Sequence, residues 1–136
     1  MKRITVAAAI LAALGAAGCA KVVSPTENQV QTVDGTVFVR AGAAGMSHGF
    51  TVGAPGEFTL TMTSLSPPPP DPNTYPVAAQ IYFGRDCSGG LWFSGSNLVG
   101  QPLLSRAIVA GGYCIVVVNP GWFTTDENYR LELRHP

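Results

Sequence analysis

Hydrophobic and polar positions divide the chain into three regimes. From Ile4 to Ala17 every residue but one Thr and one Gly is a small or branched apolar side chain. That run falls short of the roughly 20 residues a membrane-spanning helix needs. From Lys21 to about Asp34 the chain is polar and shows no apolar period, as a tether would. Beyond it the pattern alternates. Thr36-Val37-Phe38-Val39 is a short run of β-formers, and Phe58, Leu60 and Met62 alternate with Glu57, Thr59, Thr61 and Thr63. Val77, Ala79, Ile81 and Phe83 alternate with Ala78, Gln80 and Tyr82, and Tyr129, Leu131 and Leu133 with Arg130, Glu132 and Arg134. A period of two means strands with one buried face, whereas Tyr113 to Val118 is apolar on both faces, as a central strand is.

Glycine and proline punctuate these runs at Gly53-Ala54-Pro55-Gly56, Ser66-Pro67-Pro68-Pro69-Pro70-Asp71-Pro72, Gly89-Gly90, Gly111-Gly112 and Pro120-Gly121. No segment after the first apolar run carries a capped 3.6-residue pattern. Short strands separated by turn residues predict an all-β, antiparallel β-sandwich of seven to eight strands with almost no helix. The divisions read along the chain are residues 1–18 as a signal segment, 19–33 as a tether and 34–136 as a sandwich domain.

Charge narrows the functions. Charged residues are 12% of the chain, about half the usual share. Losing Lys2 and Arg3 with a signal segment leaves six basic against eight acidic side chains, a net of −2. Such a surface has no basic stripe to draw nucleic acid.

The front end supplies an address. Met1-Lys2-Arg3 is a basic start, the apolar run follows, and small residues lead into Gly18-Cys19; these are the parts of an export signal. Leu14-Gly15-Ala16-Ala17-Gly18-Cys19 resembles a bacterial lipobox, in which the Cys receives diacylglycerol and becomes the first residue of the mature protein. The alternative is an ordinary signal peptide cut near Ala17 or Gly18, leaving a secreted chain with a free thiol. Three cysteines favour the lipobox: lipidating Cys19 leaves Cys87 and Cys114 to form one disulfide in an oxidising compartment. Several acyl chains, each buried CH₂ contributing about 0.8 kcal/mol, would hold the protein on a membrane. Ala20-Lys21 after the Cys, with no Asp, is similar to outer-membrane-sorted lipoproteins of Gram-negative cells.

A second resemblance covers residues 34–136. Phe50-Thr51-Val52, then Gly56-Glu57-Phe58-Thr59-Leu60-Thr61, then Ala110-Gly111-Gly112-Tyr113-Cys114-Ile115-Val116-Val117 and Asn128-Tyr129-Arg130-Leu131-Glu132-Leu133 resemble strands of bacterial pre-peptidase C-terminal (PPC) domains. The resemblance implies a jelly-roll-like sandwich and a non-catalytic accessory module, in some members binding calcium or an extracellular polymer. The module is expected to stand alone behind the lipid anchor, with no catalytic domain before it.

Few residues suggest chemistry. Gly45-Met46-Ser47-His48-Gly49 matches the G-x-S-x-G elbow of serine hydrolases, which works at a strand-to-helix turn with a later acid and His. With no helix expected, it reads as a glycine-rich loop. Asp71 with Asn73, and Asp126 with Glu127 and Asn128, could offer oxygens to calcium, but neither group approaches the six to eight ligands that ion takes. These are also turn-forming residues. Zinc spacing is absent, and no cofactor or metal is expected. Trp92-Phe93 and Trp122-Phe123 lie in glycine-flanked segments read as loops. They are the candidate ligand contacts, either stacking on a sugar or partner or folding over the end of the core. The proline run reads as a stiff inter-strand loop.

The expectation is a non-enzymatic protein of the cell envelope. It would be held on the membrane, the outer membrane if the cell is Gram-negative, through a lipid anchor on Cys19, and would contact an envelope protein or a glycan.

Overall fold

A computed structural model describes residues 27–39 and 45–136. The signal segment and Cys19 lie outside the described residues. Eight strands form two four-stranded antiparallel sheets: β1 (Gln29–Val37), β2 (Ser47–Val52), β3 (Gly56–Ser66), β4 (Val77–Phe83), β5 (Leu91–Asn97), β6 (Pro102–Ile108), β7 (Gly111–Val118) and β8 (Glu127–His135). One sheet has the order β1-β8-β3-β6 and the other β2-β7-β4-β5. Successive strands change sheets except at β4–β5, which are hydrogen-bonded neighbours, and the order is that of the eight-stranded jelly roll.

The buried positions follow the alternation. Phe58, Leu60 and Met62 of β3 and Tyr129, Leu131 and Leu133 of β8 face inward from one sheet. Val77, Ala79 and Ile81 of β4, with Tyr113, Ile115 and Val117 of β7, face them from the other. Each large apolar side chain so buried contributes about 1.5–3 kcal/mol. Phe50 bridges the layers, stacked on Tyr113 of its neighbouring strand at 5.6 Å and on Phe58 of the opposite sheet at 5.5 Å.

Cys87, in the β4–β5 loop, is bonded to Cys114, which is fully buried on β7; their Cα atoms are 5.1 Å apart. Cys87 adopts φ of +60°, a region L-residues seldom visit, beside Gly84 at +85°. The bridge therefore fastens a tightly curled loop to a central strand.

Several boundaries differ from the sequence reading. Residues 29–33, taken as tether, are the first half of β1, in register with Leu131 to His135. They are mostly exposed and show no apolar period, on an edge strand with only one neighbour. Trp92 and Phe93 lie on β5 rather than in a loop, and Ser47 opens β2 rather than sitting in a glycine-rich loop. Phe83, assigned to the inner face, is 45% exposed at the end of β4.

The sandwich has two poles. The described chain enters beside His135 and Glu57, where the β4–β5 disulfide loop and the β6–β7 turn also lie. The nine residues of β1 carry it about 26 Å at ~3.3 Å per residue to Val37, opposite Glu127. The proline loop and the β7–β8 loop meet at that far pole.

Candidate functional site

Two loops shape the far pole. The β3–β4 loop contains Pro67, Pro68, Pro69, Pro70, Pro72 and Pro76, which supply no N–H donors. It closes on a turn in which Asp71 accepts hydrogen bonds from the Asn73 amide (2.9 Å) and the Thr74 hydroxyl. The β7–β8 loop turns at Gly121, whose φ is +98° and whose amide donates to Asn119 Oδ1 at 2.8 Å. The turn brings Trp122 against the proline loop. Its indole Nε1–H donates to the Pro76 carbonyl at 2.7 Å, and its ring meets Tyr75 at 5.1 Å and Phe123 edge-on at 4.4 Å. Phe123 is buried and completes the core, whereas Trp122 is half-buried and keeps part of its surface outward.

Between the loops lies a cleft of about 320 Å³ lined by Pro67, Pro68, Pro70, Tyr75, Trp122, Thr124, Thr125 and Glu127. Glu127 is only 4% exposed. The first residue of β8, it occupies an inward position two before Tyr129, where a strand with one buried face would carry an apolar side chain. Its Oε1 accepts a hydrogen bond from the Thr125 hydroxyl at 3.2 Å, but its Oε2 is buried with no partner among the described residues. Burial raises the Glu127 carboxyl above its ordinary range, and the Thr125 bond offsets that only in part. A buried carboxylate oxygen without a donor is costly, so the cleft floor is electrostatically incomplete.

The other expected sites are more self-contained. Trp92 and Phe93 are half-buried against the core, and the Arg106 guanidinium sits over both, 5.2 Å and 4.5 Å from the ring centres. A cation of the protein itself thus already uses these rings. A larger cleft of about 460 Å³ on the outer face of β1, β8 and β3 is polar. Its groups satisfy one another: Arg130 Nε lies 2.7 Å from Asp34 Oδ1, and the Thr36 hydroxyl donates to Asn128 Oδ1 at 2.8 Å. The Arg130 guanidinium holds the Asp34 carboxyl below its usual range.

The G-x-S-x-G residues run into β2, not into a helix. His48 turns its Nε2 to the Tyr129 hydroxyl at 2.9 Å, and that hydroxyl donates to the Met46 carbonyl at 3.2 Å. His135 bonds through Nδ1 to its neighbour's carbonyl and stacks against Phe50 at the opposite pole. The two histidines and Ser47 do not converge. Nor do Asp126, Glu127 and Asn128. Asp126 accepts from the Val39 amide at 3.0 Å, and along β8 Glu127 points in while Asn128 points out.

Of the aromatic candidates, Trp122 lines the cleft directly and Phe123 supports it from the core. The sequence reading offers Glu127 as a calcium oxygen or a turn residue, although its in-phase spacing with Tyr129 marks it as inward. Tyr75 carries no signal before the loops are folded. Compared with family models and with curated proteins, the chain matches none.

Proposed function

We propose that this chain is a non-enzymatic, lipid-anchored binding module of the bacterial cell envelope, held by Cys19 and meeting a protein or glycan partner through the cleft at the far pole. The observation that carries the reading is the accounting of cysteines. Cys87 and Cys114 are joined inside the fold, so the third cysteine is left without a partner where the signal segment ends at Gly18-Cys19. An intrachain disulfide belongs to an exported protein, and a lone cysteine behind a signal segment is accounted for by lipidation.

Polarity of the fold supports the same arrangement. The chain leading from Cys19 joins the sandwich at the pole opposite the cleft. An anchor there would turn the cleft away from the membrane and toward partners. Phe83, Leu91 and Val109, exposed at 45%, 51% and 63%, are at the near pole, as suits a face turned to lipid. The jelly-roll strand order is consistent with the PPC-like module that the sequence resembles, and outer-membrane sorting follows from Ala20-Lys21 if the cell is Gram-negative.

Replacing Cys19 with Ala tests the anchor. The expected result is a soluble exported domain that keeps its Cys87–Cys114 bond, recovered without detergent. Persistence of the Cys19→Ala chain in the membrane fraction would overturn the reading.

A further inference from the structure

Resting on the reading of the far-pole cleft as the contact site, we infer that the cleft is built for a primary alkylammonium group, either a lysine side chain of a partner or a free amine. The floor is Glu127, with Oε2 buried and unpartnered. The described residues supply no cation to it: Arg130 is engaged by Asp34, Arg134 by Glu132, Arg106 by the Trp92 and Phe93 rings, and Arg85 lies in the β4–β5 loop beside Gly112, at the opposite pole. Glu127 itself lines the cleft, and its carboxylate ends in a broad two-fold torsion that leaves its oxygens free to reorient.

The remaining lining selects for the same chemistry. Pro67, Pro68 and Pro70 have no amide hydrogen, and the Trp122 indole N–H is already given to Pro76. The cleft is therefore rich in acceptors and poor in donors. An anion would meet the Glu127 carboxylate and only hydroxyl donors. A primary ammonium has three donors and no acceptor, and so complements the Glu127 carboxylate and the Thr124 and Thr125 hydroxyls. Trp122 and Tyr75, tilted at 54° to one another, supply π faces that attract a cation, and the prolines take up an alkyl stem. Calcium is the poorer fit, because one carboxylate and two hydroxyls fall well short of its oxygen shell.

The test uses the full chain in a neutral detergent, titrated with n-butylammonium, tetramethylammonium, 1-butanol and N-acetylglucosamine, and read by Trp fluorescence and calorimetry. The expected order is n-butylammonium first, with 1-butanol and the N–H-free tetramethylammonium each at least about tenfold weaker, as for a lost charge-assisted hydrogen bond. Glu127→Gln should weaken n-butylammonium about tenfold without altering the weak response to 1-butanol. Tyr75→Leu should weaken it about threefold, the size of a modest cation–π contribution. A lysine-bearing peptide that binds more tightly than n-butylammonium identifies a protein partner as the source; equal binding identifies a free amine.

Equal binding of n-butylammonium and 1-butanol, or an unchanged affinity in Glu127→Gln, would overturn the ammonium assignment. So would binding of N-acetylglucosamine alone, which would keep the cleft as a contact site for a different ligand. None of these results bears on the anchor, which the Cys19→Ala fractionation tests separately.

Discussion

Glu127 and His48 are ionisable groups whose burial sets pH behaviour of opposite sign. Burial raises the Glu127 carboxyl, so the folded protein holds its proton to a higher pH than the unfolded chain, whose ordinary value is 4.5. The unfolded state ionises first as pH rises, and stability is lost through the raised folded value. Glu127→Gln, which removes that loss, should melt higher than the parent at pH 7 and match it near pH 4 (about the unperturbed carboxyl value). A lower melting temperature at pH 7 would mean that the carboxylate is already paired. For His48, burial lowers the pKa below 6.5 and outweighs the attraction of Asp34. The unfolded chain then takes up its proton first on acidification, and stability falls as pH drops through 6.5 toward the lowered folded value. Melting curves across that window should fall less steeply for His48→Gln. The same corner limits Gly35, where an added methyl would strike the Tyr129 hydroxyl that His48 bonds. Gly35→Ala should cost about 1–3 kcal/mol in urea unfolding, the usual penalty of overpacking. Among these residues the sequence signals Glu127 through its in-phase position on the last strand. The Gly35–Tyr129–His48 contact joins residues distant along the chain and has no local pattern.

At the scale of elements, legibility followed position in the sheets. β3, β7 and β8 each have two neighbours, must hide one or both faces, and show it as clean alternation or a fully apolar run. The edge strands do not. β1 begins with polar residues that need no covering partner. β6 buries Leu103 and Leu104 in succession, with a register shift opposite Leu60/Thr61 that destroys the period of two. β5 is disguised by glycines and serines and by an irregularity opposite Ile81/Tyr82, which is why Trp92 and Phe93 read as loop residues. Two changes probe the elements that were legible. Leu60→Ala, in the fully enclosed middle of β3, should cost about 2–5 kcal/mol, measured by the urea midpoint. Cys87→Ser with Cys114→Ser should cost about 3.5 kcal/mol if closure of the intervening loop dominates. A loss below about 1 kcal/mol would show that the β4–β5 loop is held by its other bonds, among them Gly84 N–H to the Gly112 carbonyl at 2.9 Å.

For the whole molecule, the arrangement of poles carries the functional argument. An antiparallel jelly roll with β1 running the length of the sandwich separates the end where the described chain enters from the Pro–Trp–Glu cleft. The sequence showed the parts of that arrangement, a lipobox-like Cys19, a cysteine pair, a proline run and Trp122. It could not show that the proline run and Trp122 close on each other, because strands β4 to β7 intervene along the chain. Intact mass of the protein from a membrane fraction, with and without reduction, decides whether Cys19 anchors this disulfide-bonded sandwich to a membrane. The expected species is a polypeptide beginning at Cys19, heavier by its acyl chains, that gains two hydrogens on reduction of the Cys87–Cys114 bond. An unacylated chain, or one still carrying residues 1–18, would contradict it.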